Sequence, residues 1–179
     1  MTYKPQIKKD TKKVKNWSVI IIVMSIIVIA VAMLLLTQEV KTTPQQTISG
    51  GGILATPINY HDFGEVSLRG GVISTEVPLV NIGEGVLTIT FMNTSCGCTS
   101  AQIINKGKIG PIFGMASHGK SPADWRTTIE PGEKASLRVY YDPGVHPNFK
   151  GTATREITII SDSKNNGIQT IRIKVNQVD

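Results

Sequence analysis

The apolar residues of this chain follow two different patterns. In the first pattern, from Trp17 to Leu36, nearly every side chain is apolar and none is charged. At about 1.5 Å of rise per residue, a helix of this length extends about 30 Å, which matches the hydrocarbon core of a bilayer. A helix on the surface of a globular protein has a polar face, which this segment lacks. The first pattern therefore predicts one transmembrane helix over residues 17–36.

The second pattern begins at Ile53 and consists of short runs in which apolar and polar residues alternate. One run places Leu137, Val139 and Tyr141 at every second position. A period of two is typical of a β-strand with one buried face. Turn sequences rich in Gly, Asn and Pro separate the runs, and no helical periodicity intervenes. The pattern predicts an all-β domain, an immunoglobulin-like antiparallel β-sandwich of about seven strands.

The net charge of +6 is concentrated at the amino terminus. Residues 1–16 contain six lysines and one aspartate, and the rest of the chain carries a net charge of only +1. A nearly neutral main body lacks the basic surface with which proteins bind nucleic acid, so we expect no nucleic-acid partner. By the positive-inside rule, a basic segment beside an apolar helix stays in the cytoplasm. We therefore expect a single pass through the cytoplasmic membrane, with the amino terminus in the cytoplasm and the carboxy-terminal domain on the extracytoplasmic side.

These patterns divide the chain into four parts: a basic cytoplasmic tail (1–16), a transmembrane anchor (17–36), a flexible linker (37–52) and an exported domain (53–179). The linker is polar and ends in three glycines, which is typical of a flexible tether. Ala30 and Ala32 fit the small-residue pattern of a signal-peptide cleavage site. Because the apolar run continues beyond them, a retained anchor is favoured over a cleaved signal.

One segment of the exported domain, residues 105–128, interrupts the rhythm of strands and is rich in Gly and Pro. Loops longer than about 12–15 residues are usually functional or disordered. This loop carries Phe113, Met115, His118 and Trp125, which is not the composition of a disordered linker. We expect it to fold over one end of the sandwich.

Several short motifs in the exported domain together resemble a known bacterial family. They are Asp62-Phe63-Gly64-Glu65-Val66, Asn81-Ile82-Gly83, Ser95-Cys96-Gly97-Cys98-Thr99 and Ile129-Glu130-Pro131-Gly132-Glu133. These residues resemble exported domains of family 1573 of the domains of unknown function. The resemblance implies an immunoglobulin-like sandwich over about residues 60–175 and no established activity. The long loop after Cys98 departs from the family's shorter connection, so the resemblance implies nothing about that loop.

The strongest chemical signal is the pair Cys96 and Cys98. In an extended segment, two residues separated by one position point to the same side, near the upper distance limit for a disulfide. A disulfide around a single residue restricts the unfolded chain little and is easily reduced. Three interpretations of the pair remain open: a metal site, a redox-active dithiol, and a disulfide without chemistry.

A metal site would combine Cys96 and Cys98 with His118 and His146, and Met115 would add a thioether. Such soft ligands favour copper in its Cu(I) state, with zinc second. A redox-active dithiol would depart from the usual oxidoreductase motif, which has two residues between the cysteines and a helix amino terminus beside them.

No arrangement of catalytic residues stands out elsewhere in the sequence. We therefore expect a non-catalytic binding or envelope-interaction module with a protein partner in the cell envelope. Copper or zinc binding is the first alternative, and a thiol redox function is the second.

Overall fold

A computed structural model describes residues 11–36, 50–119 and 121–179 of the chain. The described residues divide into two compact units, one with the helix and one with all of the strands. The helix, α1, extends over Thr11–Leu36. It begins earlier than the predicted segment because residues 11–16 contain no helix-breaking Gly or Pro. Residues 1–10 and 37–49, which include most of the predicted tail and linker, lie outside the described residues.

The side chains described in α1, those of residues 17–33, are all exposed. Within the described part of the chain, no helix reaches the length and apolarity that crossing a membrane requires. The transmembrane helix expected over residues 17–36 is therefore not shown and stays a prediction.

The second unit is a β-sandwich-like fold of two five-stranded sheets. Its strands are β1 (Leu54–Ala55), β2 (Tyr60–Ser67), β3 (Ile73–Asn81), β4 (Leu87–Thr94), β5 (Thr99–Asn105), β6 (Lys108–Ile109), β7 (Thr127–Ile129), β8 (Lys134–Tyr141), β9 (Gly151–Ser161) and β10 (Ile168–Val178). The first sheet has the order β1-β3-β8-β5-β6, and the second has the order β2-β10-β9-β4-β7. The predicted all-β fold in two sheets is thus confirmed.

The number of strands differs from the predicted seven. The described residues form ten strands. Seven of these strands are at least seven residues long, and the other three, β1, β6 and β7, have only two or three residues. A strand of two or three residues is too short to show an alternating pattern, so the sequence does not reveal it.

The prediction of a purely antiparallel sandwich is wrong at one strand pair. β2 and β10 run parallel, with Tyr60 opposite Arg172. A parallel pair requires a long connection between its strands. That condition is met because β2 and β10 come from opposite ends of the domain sequence.

The alternating residues form the core between the sheets, as their period predicts. Leu137, Val139 and Tyr141 of β8 are fully buried, and they face Ile171 and Ile173 of β10 in the same apolar cluster. Burial of each such side chain stabilises the fold by about 1.5–3 kcal/mol.

The loop of residues 105–128 packs against β5. Phe113 and Ala101 exchange two backbone hydrogen bonds of 2.8 Å each. The Phe113 ring is fully buried and makes edge contacts with Phe91 and Trp125. A 3-10 turn, Ala116–His118, follows. Aromatic packing therefore holds this part of the loop close to the cysteines.

Asn81, a fully buried amide at the end of β3, joins the two sheets. Its Oδ1 accepts hydrogen bonds from Ile53 N and Gly83 N, both 3.0 Å. Its Nδ2 donates to Gly85 O and to Ile129 O of the second sheet, both 2.8 Å. Both hydrogens and the oxygen of the Asn81 side-chain amide thus form hydrogen bonds inside the protein.

A second buried pair joins the sheets at the opposite end of β8. The Tyr141 hydroxyl donates to Gln177 Oε1 of β10 over 2.7 Å. Gln177 Nε2 donates to Pro143 O (3.3 Å) and His146 O (3.1 Å), in the connection that follows β8. Burial raises the pKa of the Tyr141 phenol above its ordinary value.

We predict that Asn81→Ala lowers the free energy of unfolding by about 3 kcal/mol, because two buried and two partly buried hydrogen bonds to the backbone are lost. Urea denaturation followed by tryptophan fluorescence measures the change. Asn59→Ala is the matched control, since Asn59 is exposed, and it should change stability by less than about 0.5 kcal/mol. Equal effects of the two variants would contradict the role assigned to Asn81.

We predict that Tyr141→Phe costs about 1–2 kcal/mol of stability at neutral pH, because Gln177 Oε1 loses its donor. The raised pKa makes this difference depend on pH. Above pH about 10, the unfolded tyrosine ionises while the folded one stays protonated, which favours the unfolded state of the native chain. The stability difference between native chain and variant should therefore shrink as the pH rises above 10. Urea denaturation at neutral and alkaline pH measures it, and a difference that grows with pH would contradict the prediction.

Candidate functional site

The cysteines lie in a tight connection between the two sheets. β4 of the second sheet ends at Thr94, and β5 of the first begins at Thr99. Within the connection, Cys96 and Cys98 form a disulfide with a Cα–Cα distance of 5.3 Å. Cys96 is half-buried and Cys98 is buried. Cys96 is therefore the more accessible of the two cysteines.

Backbone hydrogen bonds fix this connection on several sides. Thr99 N donates to Cys96 O (3.1 Å), and Asp142 N donates to Cys98 O (2.8 Å). Ser95 N donates to Glu156 O, and Glu156 N donates to Ser95 Oγ, both 2.9 Å. Because none of these bonds involves a sulfur atom, they do not require the disulfide.

His146 contacts the first sulfur. Its Nε2 lies 3.3 Å from Cys96 Sγ. The histidine follows the 3-10 turn Pro143–Val145, which Asp142 caps by accepting a hydrogen bond from Gly144 N. Since His146 O is held by the buried Gln177, the core of the sandwich positions the backbone of this exposed residue.

Arg155 contacts the second sulfur from the middle of β9. Its Nε donates to Cys98 Sγ over 3.3 Å, and its Nη1 donates to Thr154 O over 3.2 Å. The guanidinium also lies over the Phe149 ring, 5.9 Å from the centroid. No carboxylate among the described residues forms a salt bridge with it.

Arg155 is not among the site residues predicted from the sequence, which carries no signal for it. The residue lies 57 positions after Cys98 in an ordinary alternating strand. Only the pairing of β4 with β9 brings it to the cysteines.

The structure brings together part of the predicted metal-ligand set. Ligand atoms of Cys96, Cys98 and His146 all lie within 4.8 Å of one another. The His118 ring lies against Gly97, where an added Cβ would be 3.3 Å from Nδ1. Met115 is half-buried and immediately precedes the turn that carries His118. His118 does not belong to this close group, which consists of Cys96, Cys98 and His146.

An apolar recess of about 330 Å³ opens beside the disulfide. Its walls include Cys98 together with Val72, Ile112 and Val145. The last three are exposed by 57%, 55% and 44%, so their apolar surfaces are accessible to a partner. A second, wider recess of about 600 Å³ is lined by His146, Phe149 and Arg155, the residues beside the two sulfurs.

The arrangement suits thiolate chemistry. If the disulfide is reduced, a thiolate at Cys98 lies beside a permanent cation, and a thiolate at Cys96 lies beside an imidazole and the Cys98 N–H, 3.4 Å away. Neighbouring cations and N–H donors stabilise thiolates and so increase their reactivity.

Comparison with solved structures identifies similar folds. A protein of unknown function from Porphyromonas gingivalis W83 aligns with a TM-score of 0.55 and 20% identity over 75% of this chain and 51% of that one. The chain thus spans about half the length of that protein, and the likeness shows the fold alone.

Two further structures are less similar. The PapD-like domain 7 of human CEP192 aligns with a TM-score of 0.42 and 9% identity over 74% of this chain and 89% of that one. A family 123 glycoside hydrolase from Clostridium perfringens aligns with a TM-score of 0.42 and 9% identity over 72% and 27%. A search of curated proteins found no match.

The family comparison concerns the part of the sandwich that contains the cysteines. Residues 56–113, from Thr56 to Phe113, match the family model described as Protein of unknown function (DUF1573). They include β2 to β6 and the Cys96–Cys98 connection. The predicted resemblance is therefore confirmed for part of its length: residues 56–113 of this chain match DUF1573, a family of unknown function, and the predicted extent to residue 175 stays a prediction.

Proposed function

We propose that this chain is a membrane-anchored, extracytoplasmic module whose Cys96–Cys98 disulfide exchanges with the thiols of a partner protein. One observation carries the proposal: each sulfur of the disulfide has a nitrogen neighbour of its own, His146 Nε2 at Cys96 and Arg155 Nε at Cys98, both at 3.3 Å. A disulfide without chemistry has no need of two such neighbours.

The exchange would begin at Cys96, which is the more accessible of the two residues. A thiolate of a partner dithiol attacks Cys96 Sγ, the bond between the two cysteines breaks, and the electron pair leaves on Cys98 Sγ. Arg155 stabilises that leaving thiolate, and a better leaving group speeds exchange. The partner's second thiolate then attacks the mixed disulfide and releases Cys96 beside His146. The chain gains two electrons, and the partner becomes a disulfide.

The fold tolerates both redox states. A disulfide that encloses one residue contributes little to stability through the unfolded chain. The backbone bonds of the connection, from Thr99 N to Cys96 O and from Asp142 N to Cys98 O, involve no sulfur. We therefore expect the sandwich to remain folded after reduction.

The apolar recess supports a protein as the exchange partner. Val72, Ile112 and Val145 offer accessible apolar surface next to Cys98. Burying such surface is what drives polypeptides to associate. The sequence left a binding module and a thiol redox function as separate alternatives. The proposed function combines them, because the surface that binds the partner also contains the disulfide.

The proposed location follows from the sequence. The uncharged segment Trp17–Leu36 and the lysine-rich tail before it favour a single pass with the sandwich outside the cytoplasm. Disulfides persist in that oxidising environment. We assign the sandwich to the immunoglobulin-like class on the basis of its size and its two packed sheets.

We predict that Arg155→Gln shifts the equilibrium between dithiol and disulfide about tenfold toward the disulfide, or about 30 mV, because the Cys98 thiolate loses a charge-assisted hydrogen bond. The full chain in detergent is equilibrated with mixtures of reduced and oxidised dithiothreitol, alkylated and weighed by mass spectrometry.

Arg138→Gln serves as the control for that experiment. It removes the same charge from an exposed ion pair with Glu76 on the first sheet, and should change the equilibrium less than twofold. If Arg155→Gln behaves like Arg138→Gln, or if the disulfide resists reduction until the chain unfolds, the exchange function is wrong.

We predict that alkaline phosphatase fused after Asp179 is active in cells, because that enzyme folds only where its disulfides form. Active fusion protein should remain with the membrane fraction after alkaline extraction. Exchanging the lysines of residues 1–16 for glutamates should reduce the activity, since the orienting charge is lost. An inactive fusion of the native chain would contradict the proposed topology.

A further inference from the structure

The groups around the disulfide form a ligand set once the disulfide is reduced. Cys96 Sγ, Cys98 Sγ and a ring nitrogen of His146 lie within 4.8 Å of one another. We propose that the reduced chain binds one Cu(I) ion through these three side chains. The inference rests on the proposed function, because both sulfurs can bind the same ion only after the bond between them is broken.

The number of ligands argues against a structural zinc site. Such sites are tetrahedral and use four protein ligands. Across residues 50–119 and 121–179, the close group contains no fourth His, Cys, Asp or Glu. Soft thiolates bind both Cu(I) and Zn²⁺, but Cu(I) needs no fourth ligand and accepts three or even two. A set of two thiolates and one imidazole suits the monovalent copper ion.

The charge of such a centre is balanced by Arg155. Two thiolates and one Cu(I) ion carry a net charge of −1. The guanidinium Nε lies 3.3 Å from Cys98 Sγ, and no described carboxylate within salt-bridge distance competes for its charge. A partly buried negative centre is stabilised by a cation at this distance. Arg155 would thus stabilise the copper-bound state without being a ligand.

The backbone already holds the three ligands in place. Cys96 O accepts from Thr99 N, Cys98 O accepts from Asp142 N, and His146 O accepts from Gln177 Nε2. None of these bonds involves a sulfur atom, so none of them requires the disulfide. Metal–ligand distances of about 2.0–2.3 Å would then be reached by side-chain rotation, with little rearrangement of the fold.

The binding step requires a reductant and releases protons. A dithiol reductant converts the disulfide to two thiols and is itself oxidised to a disulfide. The two thiols then lose one proton each as Cu(I) binds, so the metal's oxidation state does not change.

The test uses the full chain in detergent, reduced with dithiothreitol and desalted without oxygen. Its free thiols are counted, and it is then titrated into Cu(I) held by the coloured chelator bicinchoninate. We expect the reduced chain to remove one equivalent of Cu(I) and the oxidised chain to remove none. His146→Gln should weaken the affinity at least tenfold. His118→Gln, a nearby exposed histidine outside the close group, should change it less than twofold.

The outcomes separate the copper site from the exchange function. A reduced chain that removes no more Cu(I) than the oxidised chain overturns the copper site alone, because exchange is measured without metal. Equal losses in His146→Gln and His118→Gln overturn the assigned ligand set. A folded chain without free thiols after reduction overturns both proposals, and the thiol count shows this before copper is added.

Discussion

A buried amide must find hydrogen-bond partners inside the protein, and this requirement fixes how the two sheets meet. At one end of the sandwich, Asn81 links β3 to the last residue of β7, Ile129. At the other end, Gln177 links β10 to Tyr141 and to the connection that carries His146. Apolar packing alone would allow the sheets to slide, since it has no direction. The two amides specify one arrangement.

The candidate site depends on the second of these amides. Gln177 lies in the core, yet its Nε2 holds the carbonyl of an exposed histidine. Arg155 reaches the other sulfur from β9, where it lies opposite Ile173 of β10. The groups around the disulfide are thus placed by the rigid part of the fold, and only their side-chain ends are free to respond to chemistry.

The sequence predicts much of the fold but only part of the site. Alternation identifies buried strands such as β8 because each residue's face follows from its position. It does not reveal β6, which is too short for a period, or the parallel pairing of β2 and β10, which depends on tertiary structure. His146 could be proposed from its chemistry as a possible ligand of soft metals. Arg155 could not, since its role comes from sheet pairing and not from any local motif.

The two reciprocal hydrogen bonds between Ser95 and Glu156 tie the cysteine connection to β9 beside Arg155. The connection that carries the sulfurs and the strand that carries Arg155 are therefore held together by hydrogen bonds. If the disulfide is reduced as proposed, we expect the charge beside Arg155 to change while the outline of the molecule stays nearly the same. A partner would distinguish the two states by electrostatics rather than by shape, and proteases would encounter the same compact substrate in both.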